Sequence, residues 1–242
     1  MLYLKQPFKD AWKRELEAGD ASEAYSQMEE AREDAWYAAA AQRAYASPAG
    51  TIYLRDHCPA AFVEQLRADA GLRAFAHTPQ REHALLLALA RSESGELTLA
   101  YTARGLIVGQ ITFAEAGEWW SEAGVCREVA IEVSASWRKR GVARHLIELV
   151  ATREDLENWI LLAQGFSWHW ETEQLGLPVM RYRAMLARLA ISYGFVEYLT
   201  SEPNISETPA NILLGRLGSK VDQQALERFY TCLLRSETLP GL

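Results

Sequence analysis

Histidine is scarce in this chain and cysteine scarcer: five and three among 242 residues. No two histidines stand at metal-ligand spacing on a common helix, so no metal centre is expected. Cys58, Cys126 and Cys232 are odd in number and far apart, which argues against a disulfide framework and fits reduced thiols in a cytoplasmic protein. Long hydrophobic runs are missing, and none approaches the ~20 residues of a membrane span. The first ten residues lack a signal-peptide core. No membrane association is therefore expected. Positive charge is in deficit, with 25 Lys and Arg against 32 Asp and Glu and a net charge of −7. Nucleic-acid binding calls for a basic footprint and is not expected. Walker-type loops and dinucleotide fingerprints are absent. Gly165-Phe-Ser-Trp-His169 lacks the second glycine of a nucleophile elbow.

What is present is concentrated between Val129 and Val150. Val129, Ala130, Ile131 and Val133 read as a buried strand. Val142, Leu146, Ile147 and Val150 fall on one face at helical spacing. Between strand and helix stand Arg138, Lys139 and Arg140, directly before Gly141. Three cations and a glycine turn thus precede a helix N-terminus. Such a terminus presents unpaired N–H groups and the positive end of the helix dipole, the surroundings a pyrophosphate needs. Glycine lets the ligand approach the main chain. In an acidic protein this basic cluster points to a local anionic ligand. The plainer reading is a solvated loop joining a core strand to a core helix.

The rest of the chain reads as two sections. Residues 1–47 are rich in Ala and charge and carry no strand signal. Phe8, Ala11, Trp12 and Leu16 form one helical stripe, and Asp20 with Glu23 opens a second helix in a capping-box-like pair. A second stripe runs Ala24, Met28, Ala31, Ala35, Trp36, Ala39. This is expected to be a helical arm ended by Ser47-Pro-Ala-Gly50 and read first as a helical hairpin packed on its own domain; its aromatics offer a homodimer contact as the other reading. Residues 48–242 read as one α/β domain. Expected strands are Thr51–Leu54, Leu97–Tyr101, Leu106–Phe113, the segment ending at Val133, Trp159–Ala163 and Phe195–Leu199. Expected helices cover Pro59 to Arg91, with Ala84–Ala90 buried, the segment after Gly141, Val179 to Tyr193, Asn211 to Leu217, and a last one capped by Asp222.

Arg138-x-x-Gly141-x-Ala143 resembles the Arg/Gln-x-x-Gly-x-Gly/Ala signature of the GCN5-related N-acetyltransferases, and the order of elements resembles their fold. The resemblance implies a mixed central sheet with splayed middle strands flanked by helices, with acetyl-CoA as the co-substrate. Its pyrophosphate would lie on Arg138, Lys139, Arg140, Gly141, Val142 and Ala143. A second set of motifs resembles the acetoin utilization protein AcuA family. These are Ser167-Trp-His-Trp170, Met180-Arg-Tyr-Arg-Ala-Met185 and Glu207-Thr-Pro-Ala-Asn-Ile-Leu-Leu-Gly-Arg-Leu-Gly218, in order and at similar separations, with Ala130-Ile-Glu-Val133 upstream. The loop around Arg138 departs in detail from that family's loop, and the N-terminal arm is an addition. This resemblance implies a protein lysine acetyltransferase whose protein partner is the AMP-forming acetyl-CoA synthetase.

Acetyl transfer to an amine needs a held thioester, a polarised carbonyl, a deprotonated amine and a proton for the thiolate. Backbone groups of Ile131 and Val133 would hold the pantetheine as an added strand. An N–H near Val133 would polarise the carbonyl. Glu128, Ala130 and Glu132 share one strand face, opposite Val129, Ile131 and Val133. Two carboxylates in a central strand are unusual, and burial raises a carboxyl toward the working pH of a general base. Glu132, nearest the expected splay, is favoured over Glu128; the plainer reading has both facing solvent or an arginine. His169 follows a strand's C-terminal end, where open α/β sheets place ligands, and is the other candidate base. Trp168 and Trp170 would wall a lysine channel, or are simply core. Tyr182 is a candidate acid for the thiolate, though a tyrosine on a helix stripe is more often core. Asn211 would bond the pantetheine or merely cap a helix. A small-molecule amine acetyltransferase and a non-catalytic acetyl-CoA-binding regulator are the alternatives.

Overall fold

The computed structural model describes residues 36–235, apart from 74 and 77. Nine strands form one sheet: β1 (Arg43–Ser47), β2 (Gly50–Arg55), β3 (Arg67–Ala68), β4 (Glu96–Thr102), β5 (Leu106–Glu115), β6 (Cys126–Val133), β7 (Ile160–Gly165), β8 (Val196–Tyr198) and β9 (Ile212–Leu217). Their order is β1-β2-β4-β5-β6-β7-β9-β8, with β3 joined to β5. Four longer helices flank it: α1 (Pro79–Arg91), α2 (Val142–Val150), α3 (Val179–Ile191) and α4 (Gln223–Leu233).

Strand alternation decides which helix covers which face. Gln110 of β5 lies opposite Glu132 of β6, and Glu128 opposite Leu162 of β7. On this face Gln110 bonds to Glu82 of α1, and Leu162 packs with Phe229 and Cys232 of α4. The other face carries Val129, Ile131 and Val133, packed with Val142, Leu146 and Val150 of α2. It also carries Ile212 and Leu214, packed with Ala187 of α3. The result is a mixed α/β sandwich, with α1 and α4 on one side and α2 and α3 on the other.

Almost every neighbouring pair is antiparallel; β6 and β7 are parallel. They pair only at Cys126–Ile160, Arg127–Leu161 and Glu128–Leu162. Beyond that β6 runs on to Val133, still paired with β5 as far as Gly109, and β7 runs on to Gly165 beside β9. The sheet is thus split along its middle, open at the C-terminal ends of both strands.

Four elements differ from the sequence reading, one of them β3 (Arg67–Ala68), which interrupts the mostly helical stretch expected from Pro59 to Arg91 because its backbone pairs with β5. Residues 36–39 are helical, but Arg43–Ser47, expected to close the helical arm, form an edge strand paired with β2. Ser47-Pro-Ala-Gly50 is its hairpin turn, held by the Ser47 hydroxyl on the Gly50 carbonyl at 2.7 Å, with Gly50 at φ 108°. The arm's earlier stripes lie outside the described residues. Ile212–Leu217, expected as a helix, is strand β9. Short apolar runs do not separate helix from buried strand by periodicity, and here β7 and β8 on either side supply the partners. Gly215 suits that place, since a Cβ there would stand 2.9 Å from the Tyr198 ring. In α1 the Ala84–Ala90 run is not uniformly buried: Leu86 is, whereas Leu85 is 49% exposed.

Candidate active site

A cavity of about 640 Å³ fills the split between β6 and β7 and continues beneath α2 and α3. At its open end lies the turn 138–141. Lys139 (φ 59°) and Gly141 (φ 84°) are both left-handed, and Gly141 is the N-cap of α2, which no side chain caps. An uncapped N-terminus keeps its N–H groups for a ligand. The turn is reached directly from β6 through the short helical turn Ala135–Trp137. Val142 and Leu146 anchor α2 to β5 by lying over Gly109, where a Cβ would meet a Val142 methyl at 2.7 Å. Ala143 lines the cavity. Arg140 lies over the Trp137 ring at 5.4 Å. Arg138 turns inward: its Nε donates to the Val133 carbonyl at 3.3 Å and its guanidinium pairs with Glu171 across the opening.

The face shared by Glu128, Ala130 and Glu132 places both carboxylates on the cavity. Glu132 is 5% exposed. Its Oε1 accepts from the Arg73 backbone N–H at 2.6 Å and its Oε2 from Gln110 Nε2 at 3.3 Å. The same Gln110 nitrogen donates to Glu82 Oε1 at 2.8 Å. One amide thus joins two buried carboxyl groups. Burial pushes Glu82 above the usual carboxylate range, while the bonds from Gln110 and the Ala76 backbone oppose it. Glu128, nearer the closed end, is also pushed up, with burial as the sole cause. Sequence reading missed Glu82, Gln110 and Glu171. A glutamine in the middle of the apolar strand Leu106–Phe113 was the available signal; Glu82 looks like an ordinary first-turn acid.

The opposite wall comes from β7 and the segment just beyond it. Residues Ser167–His169 form a single turn at the C-terminal end of β7. His169 reaches the cavity and is exposed. Trp170 lines the cavity and stacks on Tyr182 at 5.3 Å. Tyr182, at the start of α3, is pushed up first by burial and further by the Glu171 and Glu132 carboxylates, against Arg138. Trp168 does not wall the cavity: it is 55% exposed and stacked on Phe166 at 4.8 Å. Asn211 does not reach the cavity either. Its Oδ1 accepts from the Ser167 N–H at 2.8 Å and its Nδ2 donates to the Asn204 carbonyl at 2.6 Å. Buried and doubly bonded, it pins the turn that carries His169, and it precedes a strand rather than capping a helix.

The arrangement thus offers an anion cradle, an unpaired stretch of strand, a buried carboxylate and a phenol around one cavity. No family model matches the chain. It is 31% identical over 156 residues to the acetoin utilization protein AcuA of Bacillus subtilis (strain 168), a match covering 62% of this chain and 74% of that protein. The AcuA of Bacillus licheniformis is 31% identical over 155 residues, 62% of this chain and 73% of its own. The crystal structure of an acetoin utilization protein from Exiguobacterium sibiricum 255-15 superposes with a TM-score of 0.75 at 28% identity, over 80% of this chain and 93% of that one.

Proposed function

Since the chain belongs to the AcuA family, within the GCN5-related N-acetyltransferases, and is an acyltransferase, we propose that it carries acetyl from acetyl-CoA to a lysine of an AMP-forming acetyl-CoA synthetase. The observation that carries the reading is the split between β6 and β7, with the uncapped α2 N-terminus at its mouth and Glu132 on its wall.

The turn 138–141 and the first N–H groups of α2 bind the pyrophosphate, aided by the charge of Lys139 and Arg140. Arg138 exchanges its partner Glu171 for phosphate or keeps it as a clasp. Ile131 and Val133 offer main-chain groups that no strand of the sheet takes on the β7 side, which suits the pantetheine amides. The bound co-substrate supplies the thioester carbonyl. A backbone N–H near Val133 polarises that carbonyl where the oxyanion develops. Glu132 draws the proton from the incoming amine, directly or through one water, and His169 at the exposed mouth receives the lysine. Tyr182, kept protonated by its surroundings, returns a proton to the thiolate. Trp170 holds Tyr182 in place by stacking.

The acceptor rests on family membership and on the exposed mouth around His169, which a protein-borne lysine can reach. The test is incubation with acetyl-CoA and an AMP-forming acetyl-CoA synthetase, read by intact mass. Transfer of a single acetyl group is expected. Glu132→Gln should slow it about a hundredfold or more, the scale of a lost general base. No acetylated synthetase from wild type would overturn the acceptor, and acetylation of small amines instead would reassign it to that class.

A further inference from the structure

The cavity is deeper than an acetyl group requires. Glu132, Arg138, His169, Glu171 and Tyr182 stand at its open end, and Glu128 lines it where β6 and β7 close. Beyond the point where β6 and β7 close, it continues on the α2 and α3 side of the sheet, walled by Ile147, Val150, Leu156, Leu161, Leu186 and Phe195. Helix directions place these parts in sequence. Helix α2 runs from Gly141 at the mouth to Val150 inside, and α3 from Tyr182 at the mouth to Ala190 inside. The far end is capped by Arg216 of β9, level with Leu161, and by Arg153 just past α2. Both guanidiniums are paired, Arg216 with Glu157 and Arg153 with Asp56, Glu96 and Asp155.

An apolar chamber of this kind is costly when empty. Its walls lose dispersion partners, and water entering it finds few groups to bond. A well-packed acetyltransferase has no need of it. Resting on the acyltransferase reading above, we propose that this chamber is an acyl-chain pocket and that the enzyme accepts unbranched acyl-CoA donors of medium length as well as acetyl-CoA. The thioester stays beside Glu132 and Val133 while the chain runs inward between α2 and α3. The chemistry is unchanged. The lysine nitrogen attacks the thioester carbon, the N–C bond forms and the C–S bond breaks. The amine's proton leaves to the base, and CoA departs as the thiol, giving an N-acyl-lysine. The paired guanidiniums end the apolar wall, so a chain long enough to reach them should gain nothing further.

The test uses the full chain with CoA, acetyl-CoA, butyryl-CoA, hexanoyl-CoA and octanoyl-CoA. Binding is read by calorimetry and transfer to the synthetase by intact mass. Affinity should rise above that of CoA by up to roughly fourfold per methylene accommodated, then level off. Ala190→Trp and Ile147→Phe, both deep in the chamber and two independent ways of filling it, should cut octanoyl binding and transfer at least tenfold. Each should leave acetyl transfer within about twofold. Circular dichroism screens out a variant that has not folded, and the wild-type series decides alone if both fail. Longer donors binding no better than CoA and transferring nothing, with acetyl-CoA active, would overturn the acyl pocket and leave the acetyltransferase reading intact. Failure of every donor in transfer would overturn that reading, while the binding series would still decide the pocket.

Discussion

Glu128 and Glu132 sit four residues apart on one strand face and differ in every neighbour that matters. Glu132 has two donors, Arg73 N–H and Gln110, and lies where the strands have parted. Glu128 lies at the last paired position, buried, and is pushed up by that burial alone. Only the first has hydrogen-bond donors on both oxygens beside the open part of the split. The second is an acid that folding discourages from ionising. Its folded value exceeds the ordinary 4.5, so as pH rises from 4.5 through the raised value the protein loses stability. Glu128→Gln should therefore unfold at a higher temperature than wild type near neutral pH, and the gain should vanish at and below about pH 4.5. Thermal melts across that range check it, and acetyl transfer by this variant should persist. The alternation that paired these two carboxylates was readable from the sequence, because β6 is regular. What distinguishes them was not: Gln110 is 22 residues away and Glu82 a further 28. Asn211 shows the same limit. A motif gave its position, but only the fold shows both ends of its amide spent on Ser167 and Asn204.

At the scale of elements, the strand–turn–helix from β6 to α2 was the most legible part, since hydrophobic spacing, cations and glycine all agree. The strand β9 was the least legible, because Ile-Leu-Leu-Gly-Arg-Leu has no decisive period and its state is set by neighbours far away in sequence. The edge strand β1 was hidden by its alanines, which read as helix. One element contact has a direct test. Helix α2 can approach β5 because position 109 has no side chain; a Cβ there would lie 2.7 Å from Val142 Cγ1 and 3.1 Å from Leu146 Cδ1. Val142 is β-branched and stiff, so it cannot swing aside. Gly109→Ala should push α2 and its N-terminal turn outward, costing about 1–3 kcal/mol of stability. The donor's KM should rise several-fold while kcat changes less. Steady-state kinetics separates the two.

At the scale of the molecule, two half-sheets are joined through three residue pairs of β6 and β7. A ligand lying in the split bridges both halves and binds only the folded form. Acetyl-CoA at a hundred times its Kd should add about 2.7 kcal/mol, a rise in Tm of about 5–10 °C for a chain of this size. Differential scanning fluorimetry reads it, and an unchanged Tm at saturating donor would count against the cleft as the donor site. The existence of a split followed from a resemblance carried by short motifs, whereas the sheet's full order, with β1, β3 and β9 in it, and the depth of the cavity left no trace in any motif. That split also has a consequence for self-association. Past Glu128, β6 is an edge strand in the middle of a sheet, and open edges template pairing with foreign chains. Here the edge carries no lysine or proline to repel a partner. It lies instead within a cavity walled by α2 and α3 and carries the inward-facing carboxylate of Glu132, so burial and one inward charge protect it where lysines or prolines protect outer edges.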